Sequence, residues 1–152
     1  MNNGPLPTRL IFLSDLAATA PGTKVRFLGC VGNYNAKTGH LILQHAYPPS
    51  PSPCSRAVVD VNLLLDDMKS NDTAIGEWVN VIGYVDAQPA KVEEKGKFGQ
   101  KGAHGQAGKE LRGAMADTRV QAVMLWSAGA IKLDEYERTL ATSIAAEGIN
   151  RD

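Results

Sequence analysis

Cysteine is scarce in this chain: Cys30 and Cys54 are the only two in 152 residues. That is too few for a disulfide framework, and a single domain of this length can bury an adequate core without one. Cys30 falls in a strand-like run and Cys54 in a Pro/Ser loop, which favours a reducing, intracellular setting. Long apolar runs are lacking as well. Nothing reaches the length of a membrane helix, and Leu10–Leu13, preceded by Arg9 as its only nearby positive charge, is too short for a secretion signal. A soluble protein with no membrane partner is expected. Net charge is absent too, since 16 basic and 16 acidic side chains cancel. A self-sufficient nucleic-acid binder is usually basic, so any nucleic-acid contact is expected to be weak alone or shared within an assembly. The charge is nevertheless uneven: residues 1–56 carry +4, 57–87 carry −5, 88–118 carry +2 and 119–152 carry −1.

Catalytic and metal signatures are also missing. There is no Gly-x-Ser-x-Gly elbow, and Asp66-Asp67 reads as the solvated face of a short surface helix rather than a carboxylate pair for acid–base work. His40, His45 and His104, taken with Cys30 and Cys54, lack zinc spacing. Gly108-Lys109 is followed by Glu110, and no glycine stands five residues earlier, which removes a phosphate loop. No enzyme activity, metal, cofactor or small-molecule substrate is expected.

What is present is a repeated strand pattern. GTKVRFLGCV (Gly22–Val31) and GEWVNVIGYV (Gly76–Val85) both read Gly-x-x-Val-x-apolar-apolar-Gly-x-Val. Their β-branched and aromatic content predicts strands. The interior glycines, Gly29 and Gly83, predict a bulge or a bend at a barrel corner. Further strands are expected at about His40–Ala46, Arg56–Val61 and Arg119–Ser127, the last apolar on both faces except at Gln121. Leu10–Ala20 predicts a short helical turn capped by Ser14 or Asp15, and Asn62 is the expected cap of a short helix over Leu63–Lys69. Residues 88–118, with glycine at every third position from Gly96 to Gly108 among lysines, predict a flexible, solvated insertion. A helix follows over residues 131–147, with Asp134 and Glu137 at capping-box spacing and Gly148 as its stop. One domain over residues 1–152 is expected: a five-stranded Greek-key barrel of the OB-fold type, with a short helix between strands three and four and a C-terminal helix.

Two surfaces stand out. Tyr136, Leu140 and Ile144 recur at i, i+4 and i+8, with Leu133 near the start, so the helix carries an apolar stripe that seeks a cover. Trp126 and Trp78 are large anchors of the kind enriched at interfaces, and these six residues form the candidate partner surface. The candidate nucleic-acid surface is Arg26, Tyr34, Lys37, His45 and Tyr47 beside the first two strands, with Lys95, Lys97 and Lys101 from the insertion. Bases stack on aromatic rings while cations neutralise phosphates.

In this order, PLPTRLIFLSDL, GTKVRFLGCVGNY, AVVDVNLLL, GEWVNVIGYV and VQAVMLWSAGAI resemble the fungal TEN subunit family of CST, the trimeric telomere-capping complex. The resemblance spans about Pro5–Ala87 and Arg119–Leu140 and leaves out the glycine-rich insertion. It implies a non-enzymatic, nuclear, telomere-associated subunit that heterodimerises with an STN-like OB-fold protein and joins a larger CST subunit. It also implies modest binding of single-stranded telomeric DNA, and it places Tyr136 and Leu140 foremost in the partner surface. The alternative is the small OB subunit of a replication-type single-strand-DNA-binding complex. An OB-barrel nuclease using Asp60, Asp66 or Asp86, and an RNA-binding OB module, are the more distant alternatives.

Overall fold

The computed structural model describes residues 7–49, 55–86 and 117–151. Cys54, the glycine triplets of the insertion, and Lys95, Lys97 and Lys101 lie outside the described residues. The strands are β1 (Arg9–Leu10), β2 (Lys24–Asn35), β3 (His40–Gln44), β4 (Arg56–Asp60), β5 (Trp78–Val85) and β6 (Asp117–Ser127), followed by helix α1 (Leu133–Arg151). Their order is β1-β2-β3-β4-β6-β5, and β5 pairs back onto β2. Strands β2 to β6 therefore form a closed five-stranded barrel with a C-terminal helix, the OB-fold arrangement. The two-residue β1 adds in parallel to β2, so the helical turn expected over Leu10–Ala20 is confined to Leu13–Ala18.

The repeated motif has a geometric meaning. Strands β2 and β5 pair antiparallel so that Val25 faces Gly83 and Gly29 faces Val79. The valine of each copy thus opposes the glycine of the other, symmetrically about the Phe27–Val81 pair. Of the bulge or bend expected at Gly29, the bulge lies elsewhere: the register of β2 on β3 shifts between Val31 and Asn33, at Gly32. At Gly29 the reason for glycine is close approach: a Cβ there would stand 2.8 Å from the Leu43 Cβ and 3.1 Å from the Leu13 Cδ1. Gly83 lies at the second register shift, where β6 carries the extra residue, Val123. A Cβ at Gly83 would collide with the backbone oxygen of Gln121.

Each bulge flips the alternation of the strand that carries it. In β2 the odd residues Val25, Phe27, Gly29 and Val31 point inward, but past Gly32 it is Tyr34 that packs on the core. In β6 the inward residues are Val120 and Ala122, and after Val123 the inward one is Leu125. Trp126 and Met124 are thereby sent to the outer face, opposite Asn80 and Ile82.

The interior is filled by Phe27 and by leucines and valines from all five barrel strands, joined by Leu13 and Leu16 from a 3-10 turn at Leu13–Ala18 that touches β2, β4 and β6. That turn is fastened by Asp15, whose carboxylate accepts the Phe12 N–H, while Ser14 donates instead to the Tyr47 carbonyl. The expected helix over Leu63–Lys69 is replaced by 3-10 turns at Asn62–Leu64 and Ser70–Thr73. Asn62 is not its cap: its amide donates to the Thr38 carbonyl and to Asp60, tying this connection to the β2–β3 hairpin. β6 begins two residues earlier than expected because Arg56 grips Asp117 through two parallel hydrogen bonds of 2.9 and 2.7 Å. α1 begins at Leu133, with Asp134 already inside it, and runs past Gly148 to Arg151. No described helix is long and apolar enough to cross a membrane.

Candidate partner-docking surface

The outer face of β2, β5 and β6 carries Arg26, Leu28, Cys30, Trp78, Asn80, Ile82, Met124 and Trp126, by register. Leu28 and Asn80 are buried although they point away from the barrel interior, so this face is covered at its centre. Met124 at its rim is 54% exposed. The Arg26 guanidinium lies 5.2 Å from the centre of the Trp126 ring, a cation–π stack that fixes the arginine side chain on the sheet.

Beside it sits an aromatic cluster around His45. The His45 ring meets Trp78 edge-on at 5.2 Å between centroids, with Phe12 at 6.0 Å, Tyr47 at 6.3 Å and Tyr136 at 6.5 Å. Its Nε2 lies 2.8 Å from Glu137 Oε2, with the His45 side chain 1% exposed and that of Glu137 18% exposed. The start of α1 is thus fastened to the barrel by a polar pair inside an aromatic setting. Three buried polar atoms in this region have no partner: Arg26 Nε, His45 Nδ1 and the Tyr136 hydroxyl. Burial pushes the Tyr136 hydroxyl above the usual phenol range, against a smaller opposing pull from Arg26.

Of the expected partner residues, Trp78, Trp126 and Tyr136 converge on this region, all half-buried. Leu140 is buried in the seat of the helix, while Leu133 and Ile144 flank it half-buried. Two grooves run along α1. One, of about 830 Å³, lies between Thr8–Ile11 and Leu140, Ser143 and Ile144; the other, of about 640 Å³, lies between Leu10, Ile131 and Tyr136.

The expected nucleic-acid set does not stay together. His45 is buried and bound to Glu137, so its ring has no face free for a base. Tyr34 packs on the core through the parity change at Gly32, and Tyr47 stacks on Phe12 at 4.8 Å. Arg26 is committed to Trp126 and joins the docking face. Lys37 remains, exposed at the β2–β3 turn. Around it, the outward residues of β3 and β4 are His40, Ile42, Gln44, Arg56, Val58 and Asp60. Sequence reasoning missed Phe12 and assigned Glu137 to a helix cap; no local pattern signals a partner 92 residues away. No group of metal-ligating side chains forms among the described residues.

The chain matches the Ten1 family model, described as telomere capping, CST complex subunit, over residues 1–141. No curated protein sequence matches it. Among solved structures it is similar to a chain of the S. pombe Stn1–Ten1 complex, at 23% identity and a TM-score of 0.61, covering 93% of this chain and 96% of that one. It is also similar to the S. pombe telomere capping protein Ten1, at 23% identity and a TM-score of 0.59, covering 91% of this chain and 99% of the other. With the family model spanning nearly its whole length and the barrel agreeing with it, this chain belongs to the Ten1 family of telomere-capping CST complex subunits.

Proposed function

We propose that this chain is the small, non-enzymatic subunit of a fungal-type CST complex, acting at telomeres in the nucleus and forming a one-to-one heterodimer with an Stn1-type OB-fold partner. The observation that carries this reading is the outer barrel face beside α1. Arg26 is pre-set on Trp126, with Tyr136 of α1 half-buried next to this face. Met124 is 54% exposed and Trp126 half-buried beside that arginine, so the face offers an apolar, cation-bearing rim that a docking protein would cover. The S. pombe relative found in complex with Stn1 supports the identity of that partner. The larger CST subunit completes the assembly. Single-stranded telomeric DNA is bound weakly by this chain alone, through Lys37 and the lysines of the insertion, Lys95, Lys97 and Lys101.

Co-purification with the Stn1-type protein and light-scattering mass measurement test the reading, with a one-to-one complex at micromolar concentration as the expected result. Arg26→Glu or Tyr136→Ala is expected to weaken it by roughly ten- to a hundredfold, the scale of an interface hot spot. A chain that stays monomeric with its partner present would overturn the proposal.

A further inference from the structure

The His45–Glu137 pair fastens α1 to the barrel inside an aromatic setting, and its surroundings show what it holds. α1 is 19 residues long, yet Leu140 is the only buried residue it contributes among those described. Leu133, Tyr136 and Ile144 are half-buried, and the rest of the described helix is mostly exposed. Helices in proteins are held chiefly by the apolar face they bury, and this one buries little. Against that slender anchorage stands one polar pair, enclosed by Phe12, Tyr47, Trp78 and Tyr136. His45 contributes Nε2 to Glu137, and its Nδ1 is buried without a partner. With that nitrogen unpaired, the pair to Glu137 is the one hydrogen bond shown for the His45 ring, so the helix must be seated for it to be satisfied.

We infer that His45 and Glu137 are positioning residues for partner binding: they lock α1 in the pose that places Tyr136, one residue before Glu137, on the docking face. This inference rests on the heterodimer reading above. His45 is buried and Glu137 is only 18% exposed, so the pair has no need to touch the partner. Its effect is on the fraction of molecules whose helix is already seated, and the apparent affinity scales with that fraction. A contact residue mainly changes how fast a complex falls apart. Loss of a locking residue instead slows productive association and leaves dissociation nearly unchanged.

The test uses the full chain and its Stn1-type partner, with Glu137→Ala and His45→Leu as breaking variants and His45→Gln as the conservative one, whose amide can still donate to Glu137. Amide exchange in α1 of the free protein is expected to speed up by about tenfold in the breaking variants. Amides of β2 and β5 stay as protected as in the wild type, which separates unlocking from unfolding. Surface-plasmon kinetics should show association slowed by about twofold, a smaller factor because association follows the seated fraction and exchange the unseated one, with dissociation unchanged and His45→Gln largely restored. The double variant His45→Leu/Glu137→Ala should cost little more than either single one. Faster helix exchange with wild-type association kinetics would overturn the inference, as would an unaltered α1 exchange rate or a loss confined to dissociation. If the wild-type chain binds no Stn1-type partner, the heterodimer reading itself falls, whatever the exchange data show.

Discussion

Cys30 sits half-buried on the outer face of β2, opposite Trp78 and close to Glu77. Burial pushes its thiol above the usual range, and the Glu77 carboxylate adds to the shift. The thiolate is the reactive species, so alkylation by iodoacetamide near pH 8 is expected to be slower than for a free cysteine. The rate–pH profile should be displaced upward, and Glu77→Gln should move it part of the way back; peptide mass mapping separates Cys30 from Cys54. The linkage has a definite sign. Because the folded state holds this proton more tightly, the small stabilisation is complete below the ordinary thiol range and is lost as pH rises through the titration of Cys30. At this scale much was hidden in the sequence. Trp78, Trp126 and Tyr136 were readable as anchors because large aromatics beside strands and on helix stripes have few other uses. Tyr34 was not, because the inserted Gly32 reverses which side of β2 faces in, and period-two reading has no access to an insertion. Glu137 has the spacing of a cap residue and the position of a barrel contact, and only the tertiary pairing with His45 separates the two.

Strands β2 and β5 were legible as elements, since each has β-branched spacing and clear boundaries. Their mutual pairing was not, although the motif encodes it: a valine four residues before a glycine in both strands is what an antiparallel ladder with large-opposite-small pairs needs. The space at those glycines yields an ordered prediction. Gly83→Ala is expected to be the worst of three variants, costing more than about 2 kcal/mol, because its Cβ meets backbone that cannot swing aside. Gly29→Ala should cost about 1–2 kcal/mol, with the Leu13 methyl free to move but the Leu43 Cβ fixed. Gly76→Ala meets nothing, and its φ of +93° leaves a strain of about 1 kcal/mol. Urea unfolding midpoints rank the three, and a Gly76 variant less stable than the Gly83 one would contradict this geometry. The helix expected after β4 failed for a local reason: Asp72 accepts the Lys69 N–H and Asn62 is drawn to Thr38, so tight turns take the backbone groups that an α-helix would need.

For the molecule as a whole, the zero net charge limits what it does alone. The isolated chain is expected to bind single-stranded telomeric DNA weakly, and to lose much of that affinity between about 50 and 200 mM salt, as phosphate-led binding does. Fluorescence anisotropy at several salt concentrations checks this, with the heterodimer tighter than the chain; tight, salt-insensitive binding by the chain alone would contradict it. The architecture was readable from the order of elements, since five strands around one short helical connection have few closed solutions. The docking face was only half readable, because it draws on six segments that come together through the barrel. One feature of that barrel also bears on how it is made. β6 is the neighbour of β4 on one side and of β5 on the other, and its Asp117 pairs with Arg56, 61 positions earlier. Until Asp117–Ser127 docks, both neighbours present a bare edge, and the longest-range strand pairings among the described residues form only then. Such non-local pairing is slow because chain entropy must be lost before contacts form. The half-made barrel, with two open edges, is therefore the species most exposed to aggregation during synthesis.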